Sequence, residues 1–143
     1  MTVAENMALG TTIKQGLIFD RKKTVQTARE ILRRYGMDID PSLEMRELSI
    51  ATQQLVEIAK ALSRNAKIIV MDEPTSSLSI PEVDRLLRLV EMLRNQGVTI
   101  VYISHRMQEI FQIGDYATVL CDGRTVGEWG MSELDEAKLI THM

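Results

Sequence analysis

An apolar run that stops at two adjacent carboxylates constrains the fold of this chain more than any other feature. Residues 68–71 are apolar, mostly β-branched, and followed at once by Asp72 and Glu73. A short run that is apolar on both faces indicates a buried strand of a parallel sheet. Pro74 cannot donate to a sheet ladder, so the strand is predicted to end before it. Because ligands of open α/β sheets bind beyond the carboxyl ends of the strands, the two carboxylates are predicted to lie at a binding edge.

Two neighbouring carboxylates at one strand tip can take two different chemical roles. One can hold a magnesium ion through water while the other polarises an attacking water, which is the arrangement that phosphoryl transfer requires. The alternative is a strand that ends in an ordinary polar turn, and an isolated Asp-Glu pair leaves both interpretations open.

A second apolar run, residues 98–103, ends close to His105. Between the two runs, Ser79 and Glu82 are spaced as a capping box and predict the start of a helix. Strand, helix and strand in succession are typical of a parallel βαβ crossover. That crossover places His105 at the same edge as the two carboxylates. A lone histidine is usually structural, but this position makes His105 a candidate site residue.

A third candidate lies at a helix N-terminus. Apolar residues at helical spacing between Leu55 and Leu62 predict an amphipathic helix, and Ser49 stands at its N-terminal boundary. A serine at this position can cap free backbone N–H groups. The same N–H groups and the helix dipole also attract anions. For an isolated serine, capping is the commoner explanation, and an anion site is the alternative.

The remaining segments predict helices and one hairpin. Helices are predicted at residues 2–9 and 21–35, with an irregular stretch at residues 11–20 between them. Asp122 and Gly123 predict the turn of a β-hairpin. Ser132 is predicted to cap a final helix.

The composition is that of an ordinary globular domain. The 143 residues are 45% hydrophobic and 26% charged, so the chain can bury a core. The net charge of −3 gives no sign of a nucleic-acid partner. A single cysteine, Cys121, excludes an internal disulfide and fits a reducing compartment. No apolar run approaches the roughly 18 residues of a membrane span, and no signal peptide is expected.

Three short sequences, in this order, resemble the ATP-binding cassette of ABC transporters. They are Leu-Ser at residues 48–49, Asp-Glu-Pro-Thr-Ser at residues 72–76, and Ser-His at residues 104–105. Residues 48–62 are more particularly similar to the first of two fused cassettes in bacterial monosaccharide importers, as are residues 2–6 and 122–127. The resemblance covers essentially the whole chain. It implies an α/β fold, in which residues 67–143 form part of a P-loop NTPase-type, mostly parallel sheet and residues 1–66 form a helical subdomain.

The resemblance also implies roles for individual residues. Asp72 would lie by the magnesium ion, Glu73 would be the general base or orient water, and His105 would contact the γ-phosphate. A helix N-terminus and the loop of residues 76–79, here called the crossing loop, would act on the ATP held by an opposing cassette. The residues concerned are Ser49, Ile50, Ala51, Thr52 and Gln53 at the helix, and Ser76 and Ser79 in the loop.

The function that the resemblance implies is ATP hydrolysis, with ATP and Mg²⁺, that powers uptake of a simple sugar. The partners would be a second nucleotide-binding domain, a transmembrane sugar permease and, indirectly, an extracytoplasmic sugar-binding protein, with no nucleic acid. The chain would lie at the cytoplasmic face of the bacterial cell membrane.

The sequence departs from the family's pattern at several positions. The two glycines of the signature are Ile50 and Ala51 here, its terminal glutamine is Thr52, and the aspartate that closes the crossing loop is Ser79. Side chains in place of glycines make the approach of a phosphate sterically harder. The sequence contains no G-x-x-x-x-G-K-[ST] loop, which would cradle the phosphates. We therefore expect the C-terminal part of a cassette, inactive alone, with its sheet left partly uncovered.

Two other classes of protein remain possible interpretations. A truncated, non-catalytic module would only pair with a complete cassette, and a nucleotide-binding measurement would identify it. An ATPase of DNA repair or chromosome structure shares the same motifs. That class carries long coiled-coil insertions and is basic near DNA, and this sequence has neither feature.

Overall fold

The computed structural model describes residues 1–10 and 20–142. The stretch predicted to be irregular lies, except for Asp20, outside the described residues. The described helices are α1 (Val3–Ala8), α2 (Arg21–Arg34), α3 (Ile50–Ser63), α4 (Ile80–Asn95), α5 (Met107–Ile113) and α6 (Glu136–His142). The described strands are β1 (Ile68–Asp72), β2 (Thr99–Ile103), β3 (Tyr116–Cys121) and β4 (Arg124–Gly130).

Local capping explains where the first helices begin. The Thr2 hydroxyl accepts a hydrogen bond from the Glu5 N–H, and the Glu5 carboxylate accepts one from the Thr2 N–H, as a capping box requires. Asp20 caps α2 by accepting from the N–H of Lys23. The three helices α1, α2 and α3 pack against one another and supply much of the core.

Strands β1 and β2 form a parallel pair, with α4 as the connection between them. The register places Asp72 opposite Ile103, so both strands end at the same edge of the sheet. This arrangement confirms the predicted βαβ unit. It brings the residues that follow the two strands close together.

The C-terminal part of the chain holds the predicted hairpin. Strands β3 and β4 are antiparallel, and the turn residues Asp122 and Gly123 both have positive φ, 49° and 73°. Such φ values suit the type of turn that an Asp-Gly sequence favours.

The predicted cap at Ser132 is wrong, because Ser132 lies inside a 3₁₀ turn. Asp135 caps α6 instead, accepting from the N–H of Lys138 at 2.7 Å.

One hydrophobic core runs through α1, α2, α3, α4 and β1, with Leu32, Val56 and Leu93 fully buried. The division into residues 1–66 and 67–143 stays a prediction. No helix among the described residues is long and apolar enough to cross a membrane.

One face of the parallel pair is uncovered. Its side chains are Ile68, Val70, Val101 and Ile103, exposed by 63%, 64%, 46% and 47%. The prediction of a strand buried on both faces is therefore wrong for this face, while the expectation of a partly uncovered sheet is confirmed. The opposite face of β1, with Ile69 and Met71, is buried in the core.

Candidate functional site

The side chains of Glu73 and His105 meet at the shared edge of β1 and β2. His105 Nδ1 lies 2.8 Å from Glu73 Oε1. An ionised carboxylate can only accept, so in this hydrogen bond Nδ1 is the donor. The backbone reinforces the contact, because the N–H of Glu73 donates to the carbonyl of Ile103 at 2.9 Å. The sequence predicted that these two residues lie at one edge of the sheet, and in the structure a hydrogen bond connects their side chains.

Glu73 has an unusual backbone conformation. Its φ is 45°, in the left-handed region, which costs a non-glycine residue of order 1–3 kcal/mol and is found most often at functional sites. Its second carboxylate oxygen, Oε2, is buried and has no hydrogen-bond partner among the described residues. A buried carboxylate oxygen without a partner is costly. Glu73 therefore carries an acceptor oxygen that is unsatisfied in this arrangement of the strand tips.

Asp72, Glu73 and His105 are here called the strand-tip site. Asp72 ends β1 and is exposed. Carboxylate oxygens are the ligands that Mg²⁺ prefers, and protein sites usually leave several positions of this ion to water and phosphate oxygens. No group of three or more His, Cys, Asp or Glu residues that could hold a metal lies within residues 1–10 and 20–142. Binding of a magnesium ion by Asp72 therefore stays a prediction.

Behind the strand tips lies a buried carboxylate that sequence reasoning missed. Glu109 on α5 is only 4% exposed, and its Oε2 accepts hydrogen bonds from three hydroxyls. They are Tyr102 at 2.8 Å, Thr75 at 2.9 Å and Ser104 at 3.2 Å. One signal was available in the sequence, since Glu109 precedes the buried Ile113 by four residues and so shares its helix face.

The surroundings of Tyr102 keep its hydroxyl protonated, so that it can donate a hydrogen bond. Burial raises the pKa of Tyr102 far above its ordinary value, and the hydrogen bond that it donates to Glu109 raises the pKa further. The Tyr102 hydroxyl therefore stays protonated, and able to donate, at neutral and moderately alkaline pH. The hydrogen bond from Tyr102 on β2 to Glu109 on α5 is thus kept over this pH range.

The N-terminus of α3 forms a second group of predicted residues. The Ser49 hydroxyl accepts from the N–H of Thr52 at 3.3 Å and lies 3.0 Å from the Thr52 hydroxyl. Gln53 donates its side-chain amide to the carbonyl of Leu48 at 3.0 Å. Ser49 therefore caps the helix, as the commoner explanation predicted. Ile50 is 58% exposed, so an apolar side chain stands where the resemblance places a phosphate. Contact of these residues, or of Ala51, with a nucleotide stays a prediction.

Glu82 closes a capping box with the last residue of the crossing loop. Its Oε2 accepts from the Ser79 hydroxyl at 2.6 Å and from the Ser79 N–H at 2.9 Å. These hydrogen bonds from Ser79 hold the pKa of Glu82 below its ordinary value. Contact of Ser79 with a partner cassette stays a prediction. Ser76 stands nearer the strand-tip site, because its N–H donates to the carbonyl of Glu73 at 3.2 Å.

The sequence profile of the ABC transporter family matches residues 1–76. The chain belongs to the ABC transporter family. The matched residues run from α1 through β1 and include the signature helix terminus and both carboxylates of the strand-tip site. The predicted resemblance is confirmed.

Similar proteins within the ABC family are sugar importers by name. The xylose import ATP-binding protein XylG of Geobacillus kaustophilus is 45% identical over 143 residues. The arabinose import ATP-binding protein AraG of Escherichia coli O157:H7 is 49% identical over 144 residues. The whole chain is aligned in both cases, yet it spans only 28% and 29% of the length of these proteins.

A solved ATP-binding cassette of an ABC transporter has the same fold. It matches with a TM-score of 0.79 at 27% identity, over 99% of this chain and 62% of that one. The α/β cassette fold is therefore confirmed.

Proposed function

We propose that this chain is part of the ATP-hydrolysing subunit of a bacterial ABC importer for a simple sugar. The observation that carries this proposal is the Glu73–His105 pair beside Asp72 at the common edge of two parallel strands. The names of XylG and AraG support the assignment to sugar import. Because these relatives are named for xylose and arabinose, the proposal extends to the class of simple sugars and not to one of them.

Each residue of the strand-tip site has a proposed task. Asp72 would hold a magnesium ion through water, and the chemistry that the ion would supply is polarisation of phosphoryl oxygens. Glu73 keeps one oxygen on His105, and its negative carboxylate orients the attacking water. His105 donates its Nδ1–H to Glu73, so Nε2 can donate to the γ-phosphate only when the imidazole carries a proton on both nitrogens.

The proposed partners follow from the same assignment. A second nucleotide-binding domain would receive Ser49 and the crossing loop, and a transmembrane permease would carry the sugar. A sugar-binding protein outside the cell would deliver it. The subunit would lie at the cytoplasmic face of the membrane.

An exchange of segments tests the proposed activity. Because the whole chain aligns with 45% identity to a segment of Geobacillus XylG, that segment can be replaced by this chain to give what we call the exchange protein. We expect the exchange protein to hydrolyse ATP in the presence of Mg²⁺, measured as released phosphate. Unaltered XylG is the positive control. A folded exchange protein that binds ATP without hydrolysing it would contradict the proposal and favour a non-catalytic module.

The chain alone should bind ATP weakly and hydrolyse it negligibly. Its sequence contains no phosphate-binding loop, so the residues proposed here contact only the metal, water and γ-phosphate. Calorimetric titration with Mg-ATP measures the affinity, and we expect a dissociation constant above about 1 mM, a binding free energy weaker than about 4 kcal/mol. Micromolar affinity would show that other residues of this chain hold the nucleotide.

A further inference from the structure

The buried carboxylate of Glu109 lies where the two strand tips of the site are joined. Its Oε2 accepts hydrogen bonds from hydroxyls of two different segments of the chain. Thr75 follows Glu73 by two residues, and Ser104 directly precedes His105. Each hydrogen bond therefore holds a segment that carries one member of the Glu73–His105 pair.

The hydrogen bonds around Glu109 leave little freedom to these segments. Thr75 is completely buried, so its hydroxyl has no water to replace the carboxylate. The Ser104 hydroxyl also accepts from the N–H of Arg106 at 3.0 Å. The Arg106 guanidinium approaches the other oxygen of Glu109 at 3.5 Å. Losing the carboxylate would leave the buried Thr75 hydroxyl unsatisfied and would take the acceptor from the half-buried hydroxyls of Tyr102 and Ser104. We therefore expect both segments to move.

We propose that Glu109 is a positioning residue that fixes the geometry of the Glu73–His105 pair. It contacts neither side chain of the pair and acts through Thr75 on one side and Ser104 on the other. The consequence for turnover rests on the proposed ATP hydrolysis, whereas the positioning itself does not. A catalytic pair that moves by about 1 Å can lose two orders of magnitude in rate.

The geometry of the Glu73–His105 pair can be measured in the chain alone, through an NMR signal of the His105 imidazole. The nitrogen NMR signal of Nδ1 depends on its hydrogen bond to Glu73, and substitution His105→Gln identifies that signal because the chain has one other histidine. In the parental chain, Glu73→Ala removes the acceptor and should shift the Nδ1 signal. In a Glu109→Ala background the signal should already be shifted, and Glu73→Ala should add no further change. A full Glu73-dependent shift in the Glu109→Ala chain would overturn the proposal.

Two further variants separate positioning from loss of stability. Thr75→Val removes one hydroxyl at nearly constant shape and should reduce the Glu73-dependent shift even if Glu109→Ala fails to fold. Leu93→Ala removes a fully buried apolar side chain of α4 that takes no part in the hydrogen bonds around Glu109. Leu93→Ala should destabilise the fold and leave the Nδ1 shift intact. An equal loss of the shift in Leu93→Ala would show that the effect is global and would refute the positioning role.

Turnover in the exchange protein gives a second readout. Glu109→Gln should lower kcat about tenfold or more, with less than a twofold change in the KM for ATP. A change confined to KM would contradict the positioning role. If the parental exchange protein hydrolyses no ATP, the proposed function fails, while the NMR comparison still decides whether Glu109 positions the pair.

Discussion

Glu73→Gln in the exchange protein should reduce the rate of ATP hydrolysis by about two to four orders of magnitude, while ATP binding persists. The substitution keeps the shape of the side chain and its hydrogen bond with His105, since an amide oxygen can still accept from Nδ1. It removes the negative charge that we propose orients the attacking water. Phosphate release measures the rate, and equilibrium titration with Mg-ATP measures the binding.

The neighbouring residues of the strand-tip site provide contrasts to this variant. Asp72→Asn should raise the Mg²⁺ concentration needed for half-maximal rate, and His105→Ala should lower turnover with little effect on ATP binding. Glu128→Gln, at an exposed position of β4, is the matched control and should keep the parental rate. Parental hydrolysis by Glu73→Gln would show that the role assigned to Glu73 is wrong.

Ser49→Arg in the exchange protein should abolish the ATP-driven closure of two cassettes while each keeps its own nucleotide. Ser49 is exposed at the N-terminus of α3, whose buried face carries Leu55 and Leu62, so this helix end points outward. Its free N–H groups can receive a phosphate held by another cassette. An arginine side chain at this position would obstruct that approach. Closure is measured as ATP-dependent association, and binding by titration.

Ser49→Ala is the matched control, because both substitutions lose the cap that Ser49 gives to Thr52. Loss of an N-cap costs about 1 kcal/mol of stability, and both variants should show it. Ser49→Ala keeps the backbone donors and adds no bulk, so it should retain most of the closure. Weaker ATP binding in the pocket of the altered cassette, with closure preserved, would refute the role on a partner's nucleotide.

The elements that the sequence predicted well are those specified by neighbouring residues. Thr2 with Glu5 and Ser79 with Glu82 make their capping hydrogen bonds across three residues. Such contacts form wherever the chain turns into a helix, so they can be recognised without the fold. The prediction at Ser132 failed because two nearby residues offered caps, and the helix begins at the later one, Asp135.

Long-range contacts needed the tertiary structure. Thr75 reaches Glu109 across 34 residues, and His105 reaches Glu73 across 32. Parallel pairing predicted the second contact, because strand order alone aligns the strand tips. The first depends on the side of α5 that packs against the sheet, and a glutamate in a short helix normally faces solvent.

By itself the sequence determined the family, the βαβ unit and the three residues of the strand-tip site, because these depend on local pattern and on the order of elements. Only the tertiary structure decided which polar groups lie together in the interior: the buried oxygen of Glu73, and the hydroxyls around Glu109. Burial is a property of packed surfaces. A polar side chain gains its partner only when helices and strands distant in sequence come into contact.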